Sequence, residues 1–309
     1  MRWSRIAMSL ACALPIMAPA KSQELDTLKR IKATETIIIG YRDSTSPFSF
    51  LDDKKKPVGY SIDLCLKIVD ALRTELQLPR LAVKWTVVTS AMRIPLVANG
   101  TIDIECGSTT NSLERQQQVS FVVTTFVAAT RLAYKKSAAI KSLDDLKGKM
   151  IVVVAGTTNL RHINAVNAKR HLQIKVAPVK DNSTGFAMLA SGEAAAFGSD
   201  DILLYDLIAN SGSPADYDIS GELLSVEPYG IMLRKNDPVF KQLADDIVRG
   251  LFKSGEIMKI YGKWFLSPIP PHNVVLNAPM SDALKKVIAA PTDSALPGDY
   301  SSDEFFQTN

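Results

Sequence analysis

The run Gly107-Ser108-Thr109-Thr110-Asn111-Ser112-Leu113-Glu114-Arg115 combines groups that hold small anions. Hydroxyls and free backbone N–H groups cradle a carboxylate, and the planar fork of an arginine binds one bidentately. The chemistry is retention rather than cleavage. Apart from Cys106, at the end of the preceding run Ile102-Asp103-Ile104-Glu105-Cys106, no histidine or cysteine nucleophile stands nearby. The same segment also reads as a Ser/Thr turn capping a helix, so its meaning depends on what the fold brings beside it.

Several other polar groups follow short apolar runs. Arg42 follows TIIIG, Ser90 and Arg93 follow Val83 to Val88, and Gly156-Thr157-Thr158 follows MIVVV. Asn182 follows a run near Ile174 to Pro178, and Asp200-Asp201 follows Ala194 to Gly198. Singly, each has a plain reading: Arg42 and Arg93 as solvated loop charges, Thr157 or Thr158 as a helix cap, Asp200 as the cap of the next helix. Together they describe one ligand. One arginine can clamp an α-carboxylate, one aspartate can hold an α-ammonium, and two further arginines imply a second carboxylate. The ligand implied is an acidic amino acid.

Placing these groups in one cleft requires the elements between them. Thr36 to Gly40, Val83 to Val88 and Ile102 to Cys106 read as strands, separated by a helix from Tyr60 to Leu76 and a short one from Ala91 to Ala98. The helix carries Ile62, Leu66, Val69, Leu72 and Leu76 on one stripe. This β-α-β-α-β order predicts a mostly parallel, doubly wound sheet. The pattern restarts at Leu143 to Gly148 and the strand Met150 to Val154, with helices from about Asn159, over Ser183 to Ala190 and from Asp200. The chain therefore reads as two doubly wound α/β lobes without an internal sequence repeat. Stretches at about 129–136 and 229–235, both alternating and ending in basic residues, are the expected hinge strands. The first lobe then comprises residues 24–130 plus 231–289 and the second 131–230, with ligand groups at the strand ends between them. Helices from Pro238 to Leu251, Ser254 to Phe265 and Ser281 to Ala289 close the fold, and 290–309 reads as a loose tail.

Arg2 and Arg5, the apolar Ile6 to Met17 and Ala18-Pro19-Ala20 form a signal peptide over residues 1–20, too short in its apolar run to span a bilayer. Its removal takes the 36 basic residues to 34 against 32 acidic, a balance too mild to argue for nucleic acid. Cys12 leaves with the leader. Cys65 and Cys106 remain, to be paired in an oxidising compartment or buried as free thiols. His162, His171 and His272 are scattered, so no metal and no cofactor is expected.

Gly59-Tyr60-Ser61-Ile62-Asp63-Leu64 with Ile68-Val69 and Leu72 resembles the signature of polar amino-acid solute-binding proteins of ABC importers, with Ser61 where an acidic residue is usual. Ser90-Ala91-Met92-Arg93-Ile94-Pro95-Leu96, Glu105-Cys106-Gly107-Ser108-Thr109-Thr110-Asn111, Glu114-Arg115, Gly156-Thr157-Thr158 and Trp264-Phe265 extend the resemblance to the glutamate/aspartate-binding branch, over residues 25 to 290. The resemblance implies the type II periplasmic binding protein fold and a monomeric periplasmic protein. It would close on its ligand and deliver it to a membrane permease. It implies that Arg115, Ser108 and Thr158 take the α-carboxylate, Asp200 and Thr110 the ammonium, and Arg42, Ser90 and Arg93 the side-chain carboxylate. The branch commonly has a histidine near Asn182; Asn182 donates a hydrogen bond but carries no charge, which opens glutamine or asparagine as ligands. A rival reading is an exported dehydratase of the same fold, with Asp201, Glu105 or Glu227 as its acid or base. A sensory receptor lobe is a third.

Overall fold

The computed structural model describes residues 27–300. The signal peptide and the last nine residues lie outside the described residues. Among the described residues, no helix is long and apolar enough to cross a membrane.

Two sheets organise the chain. In the first, the order is Ala82–Val87, Thr36–Tyr41, Ile104–Cys106, Met232–Arg234, Val119–Phe121. The first three strands run parallel, and Met232–Arg234 pairs antiparallel with both neighbours. In the second, Lys175–Val179, Met150–Val154 and Ala196–Asp200 run parallel, and the long strand Phe126–Lys135 is antiparallel to Ala196–Asp200. The β-α-β segments thus give parallel strands, as their crossovers require. The antiparallel members are the strands that carry the chain out of one lobe and back. A three-stranded sheet, Ser44–Thr45, Ser49–Leu51 and Pro57–Val58, had no counterpart in the sequence pattern, because its strands are too short to show a period.

The helix Tyr60–Glu75 buries Ile62, Leu64, Cys65, Ile68, Val69 and Leu72, while Leu66 and Leu76 are only partly buried. Cys65 lies on that face and forms a disulfide with Cys106, across 6.3 Å between Cα atoms. The free-thiol alternative is therefore set aside. The bond fixes the end of Ile104–Cys106, one residue before the Gly107 to Arg115 segment.

The lobes join at residues 122–125 and 230–231. Phe126–Lys135 is paired along its length within the second sheet, so the first crossing lies upstream of the expected 129–136. The crossings bind each other: Val122 N–H donates to Ile231 O (3.0 Å) and Thr125 N–H to Tyr229 O (2.8 Å). Phe48, Tyr60, Phe126, Tyr229, Tyr261 and Phe265 surround them, with ring centroids as close as 4.4 Å for Tyr261 and Phe265. Such pairs each add about 1 kcal/mol beyond area burial. The crossing is thereby pinned at its first-lobe end.

Residues 290–300 are docked, contrary to the expected loose tail. Thr292 O accepts from Thr124 N–H (2.8 Å) and Asp293 O from Asn111 Nδ2 (2.8 Å). Tyr300 is buried, and its hydroxyl donates to Ser294 O (2.6 Å) and lies 2.8 Å from Thr124 Oγ1. Backbone carbonyls and one aromatic anchor supply what the segment lacks in hydrophobic period.

Candidate functional site

Every polar group singled out in the sequence sits at or beyond the carboxyl end of a parallel strand, between the two sheets. Arg42 follows Thr36–Tyr41, Ser90 and Arg93 follow Ala82–Val87, and Ser108, Thr110 and Arg115 follow Ile104–Cys106. Thr158 opens the helix Thr158–Lys169, Asn182 opens Asn182–Ser191, and Asp200 ends Ala196–Asp200. Arg42, Ser90, Arg93, Ser108, Thr110, Arg115, Thr158, Asn182 and Asp200 are all at most 6% exposed, which removes the solvated-loop reading of the arginines.

The cradle segment caps a helix and lies within the candidate site. Ser112 accepts from Arg115 N–H and starts the helix Leu113–Gln116. Upstream, Asn111 N–H donates to Pro228 O (2.7 Å), Gly230 N–H donates to Thr109 O (3.0 Å), and Thr110 bridges Tyr229. The segment is thus stitched to the returning crossing. Ser61 Oγ donates to Gly107 O (2.7 Å), so the small residue at the departure from the acidic signature holds the cradle's first carbonyl.

The three guanidiniums are anchored by neutral acceptors. Arg42 Nη1 donates to Ser90 Oγ (2.9 Å) and Arg93 Nη1 to Ser108 O (3.2 Å). Arg115 Nη1 donates to Thr110 O (2.8 Å) and its Nη2 reaches Gly156 O (3.3 Å) in the other lobe. Among the described residues, the buried Nε atoms of Arg42 and Arg93 have no hydrogen-bond partner. Burial, and then the charge of Arg93, push both Arg42 and Arg115 down to about 10. Buried Glu105 supplies partial compensation; its Oε2 accepts from Thr109 Oγ1 (2.7 Å) while its Oε1 has no hydrogen-bond partner among the described residues. Such a cluster favours anions, and its planar forks suit carboxylates.

The opposite wall is acidic. Asp200 makes no capping bond from its side chain. Its Oδ1 accepts from Asn159 Nδ2 (2.8 Å) and its Oδ2 from the Tyr229 hydroxyl. Burial, and then nearby Glu227, push it up to about 7. A cation placed beside it would reverse that shift. Glu227 is fully buried, with Oε2 accepting from Thr158 Oγ1 (2.7 Å) and Oε1 lying 3.6 Å from His162 Nε2.

Two expected donors differ from their neighbours. Thr157 is only half-buried; its hydroxyl accepts from Leu160 N–H and donates to Val154 O (2.7 Å), so capping consumes it. Asn182 is buried at a helix start near Arg42, whose field includes Asp181, and its amide makes no hydrogen bond among the described residues. Sequence reasoning missed Asn159, Tyr229 and the site role of Glu227. Ser225, Glu227 and Tyr229 alternate along Ser225–Tyr229 and share one buried face, a period-two signal present in SVEPY. Among the described residues, no group of three or more His, Cys, Asp or Glu side chains could hold a metal ion.

The profile of bacterial extracellular solute-binding proteins, family 3, matches residues 37–267. An L-glutamate/L-aspartate-binding protein of Pseudomonas aeruginosa is 50% identical over 94% of the chain and 97% of its own length. A glutamate/aspartate import solute-binding protein of Escherichia coli is 42% identical over 94% of the chain and 96% of its own length. Among solved structures, an ancestral arginine-binding protein bound to arginine superposes with a TM-score of 0.67 at 32% identity, covering 75% of this chain and 98% of that one.

Proposed function

The chain belongs to the bacterial extracellular solute-binding proteins of family 3, and on that premise we propose that its cleft binds glutamate and aspartate for import. The observation that carries this reading is the pairing of three buried arginines with a buried aspartate across one cleft. Arg115 takes the α-carboxylate, with Ser108 and the free N–H at the start of Thr158–Lys169. Asp200 takes the α-ammonium. Arg42, Ser90 and Arg93 take the side-chain carboxylate, with the unpartnered amide of Asn182 as a further donor. Relatives named for binding both amino acids support the ligand class.

The binding lobes are the first, built before residue 122 and from 232 onward, and the second between them. Arg115 to Gly156 O and Thr110 to Thr158 already cross from one to the other. A ligand touching both walls favours the closed arrangement, which a membrane permease then recognises. The protein acts as an exported, monomeric binding protein rather than an enzyme. Its site consists of arginines, hydroxyls and carboxylates already engaged by neutral donors.

Calorimetric titration of ligand-stripped protein with glutamate, aspartate, glutamine and asparagine tests the reading. Both acids should bind at least about tenfold tighter than their amides, the worth of one charge-assisted pair. Equal affinity for acids and amides overturns the role of Arg42 and Arg93, and no heat with any of the four overturns the ligand class.

A further inference from the structure

We infer that Glu227, without touching the ligand, turns the second-lobe wall into a set of hydrogen-bond acceptors and so makes an α-ammonium group a requirement for binding. The inference rests on the reading of the cleft as an acidic amino-acid site. Three hydroxyls lie against the Glu227 carboxylate: Thr158 at Oε2 (2.7 Å), and at Oε1 Thr130 (3.2 Å) and Ser225, which are also 2.7 Å from each other. A hydroxyl has one proton, and a carboxylate only accepts. The proton of Thr158 is therefore committed to Glu227. Thr110 Oγ1, 3.3 Å from Thr158 Oγ1, must then be the donor in that contact. Towards the cleft the Thr158 hydroxyl offers lone pairs alone.

Asp200, a second polar side chain of this wall, is also an acceptor, held by Asn159 and Tyr229. Asn159 is in turn fixed by Thr130 Oγ1 (2.8 Å), which is itself bound to Glu227. One buried carboxylate thus orients both acceptors that face the ammonium. An ammonium brings three donors. A dicarboxylate without it, such as glutarate, satisfies the three arginines but leaves Thr158 and Asp200 buried against a methylene. Both keep the neutral donors they already have but lose their contact with a cation, about tenfold or more in affinity for each. The arginine cluster alone would admit dicarboxylates, and the acceptor wall excludes them.

The test compares glutamate with glutarate by calorimetry on the full mature protein and on E227Q and T158V. Wild type should bind glutarate at least about a hundredfold more weakly. In E227Q the Ser225–Thr130 hydroxyl pair, with one proton between them used on each other and one left for Oε1, keeps the amide oxygen there. The amide NH2 then faces Thr158, donates to it, and frees the Thr158 proton to point into the cleft. The glutamate-to-glutarate ratio should fall at least tenfold, with glutarate itself binding more tightly than it does to wild type. T158V, which removes the lone pairs and leaves Glu227 in place, should also lower the ratio. Equal loss of both ligands in E227Q, or an unchanged ratio in either variant, overturns the inference. If E227Q does not fold, as read by its thermal transition, T158V decides. Wild type that fails to bind glutamate overturns the ligand reading, and this inference with it. Wild type that binds both equally overturns this inference alone.

Discussion

In the proposed site, three arginines of one chemistry divide between two tasks because of what each one touches. Arg115 spans the lobes through Thr110 O and Gly156 O, whereas Arg42 and Arg93 are anchored to Ser90 Oγ and Ser108 O within the first lobe. Burial holds the Arg42 and Arg115 cations at a cost, lowering both to about 10, and two ligand carboxylates would offset it. R115A should abolish binding of every amino acid, because the α-carboxylate is common to all. R93A should cost glutamate and aspartate about 3 kcal/mol, over a hundredfold, and cost glutamine far less. Titrations of both variants with glutamate and glutamine check this, and equal losses in R93A would remove its assignment to the side-chain carboxylate.

At the scale of elements, the strand-end loops decide how closely the lobes meet. Gly156 has φ +76°, and a Cβ there would lie 2.7 Å from the Cα of Ala91 in the opposite lobe. G156A therefore has two separable effects. The positive φ should cost about 1 kcal/mol of stability with or without ligand. The clash is with backbone across the cleft, so it penalises only the closed arrangement and should weaken glutamate at least tenfold. A compaction measurement by small-angle scattering at saturating glutamate should find the variant more open than wild type; equal compaction and equal affinity would refute the contact. Much of this level was legible in the sequence. MIVVV-AGTT announces a buried parallel strand running into a helix start, and the strands and helices around Arg42, Arg93 and Asp200 follow from period and caps. The rest depends on partners far away in sequence. Neither the Cys65–Cys106 bond nor the docking of residues 290–300 on Thr124 and Asn111 leaves a local pattern, and Asp200 looks like a cap until Asn159 and Tyr229 claim its oxygens.

For the whole molecule, the two lobes also touch outside the candidate site, and one of those contacts involves a carboxyl that titrates near physiological pH. Ser46, in the first lobe, donates to Asp206 Oδ1 (2.9 Å) on the second-lobe helix Asp201–Ala209, and Asn210 Nδ2 reaches the same oxygen (3.2 Å). Burial pushes Asp206 up to about 6, against the opposing pull of the Ser46 hydrogen bond. Below pH 6 the carboxyl carries its own proton and has little need of Ser46. Above pH 6 it is charged, and the Ser46 hydroxyl stabilises that charge only when the lobes are closed. S46A should therefore weaken glutamate by about tenfold at pH 8, the worth of a hydrogen bond to a charged group, and by much less at pH 5. Asp200 also titrates near this range, so the informative quantity is the ratio of S46A to wild-type affinity at each pH, in which the Asp200 contribution cancels. A ratio that stays the same from pH 5 to pH 8 would mean that Ser46 and Asp206 touch without holding the lobes together. A ratio that grows with pH would place part of the closing free energy more than one element away from the ligand.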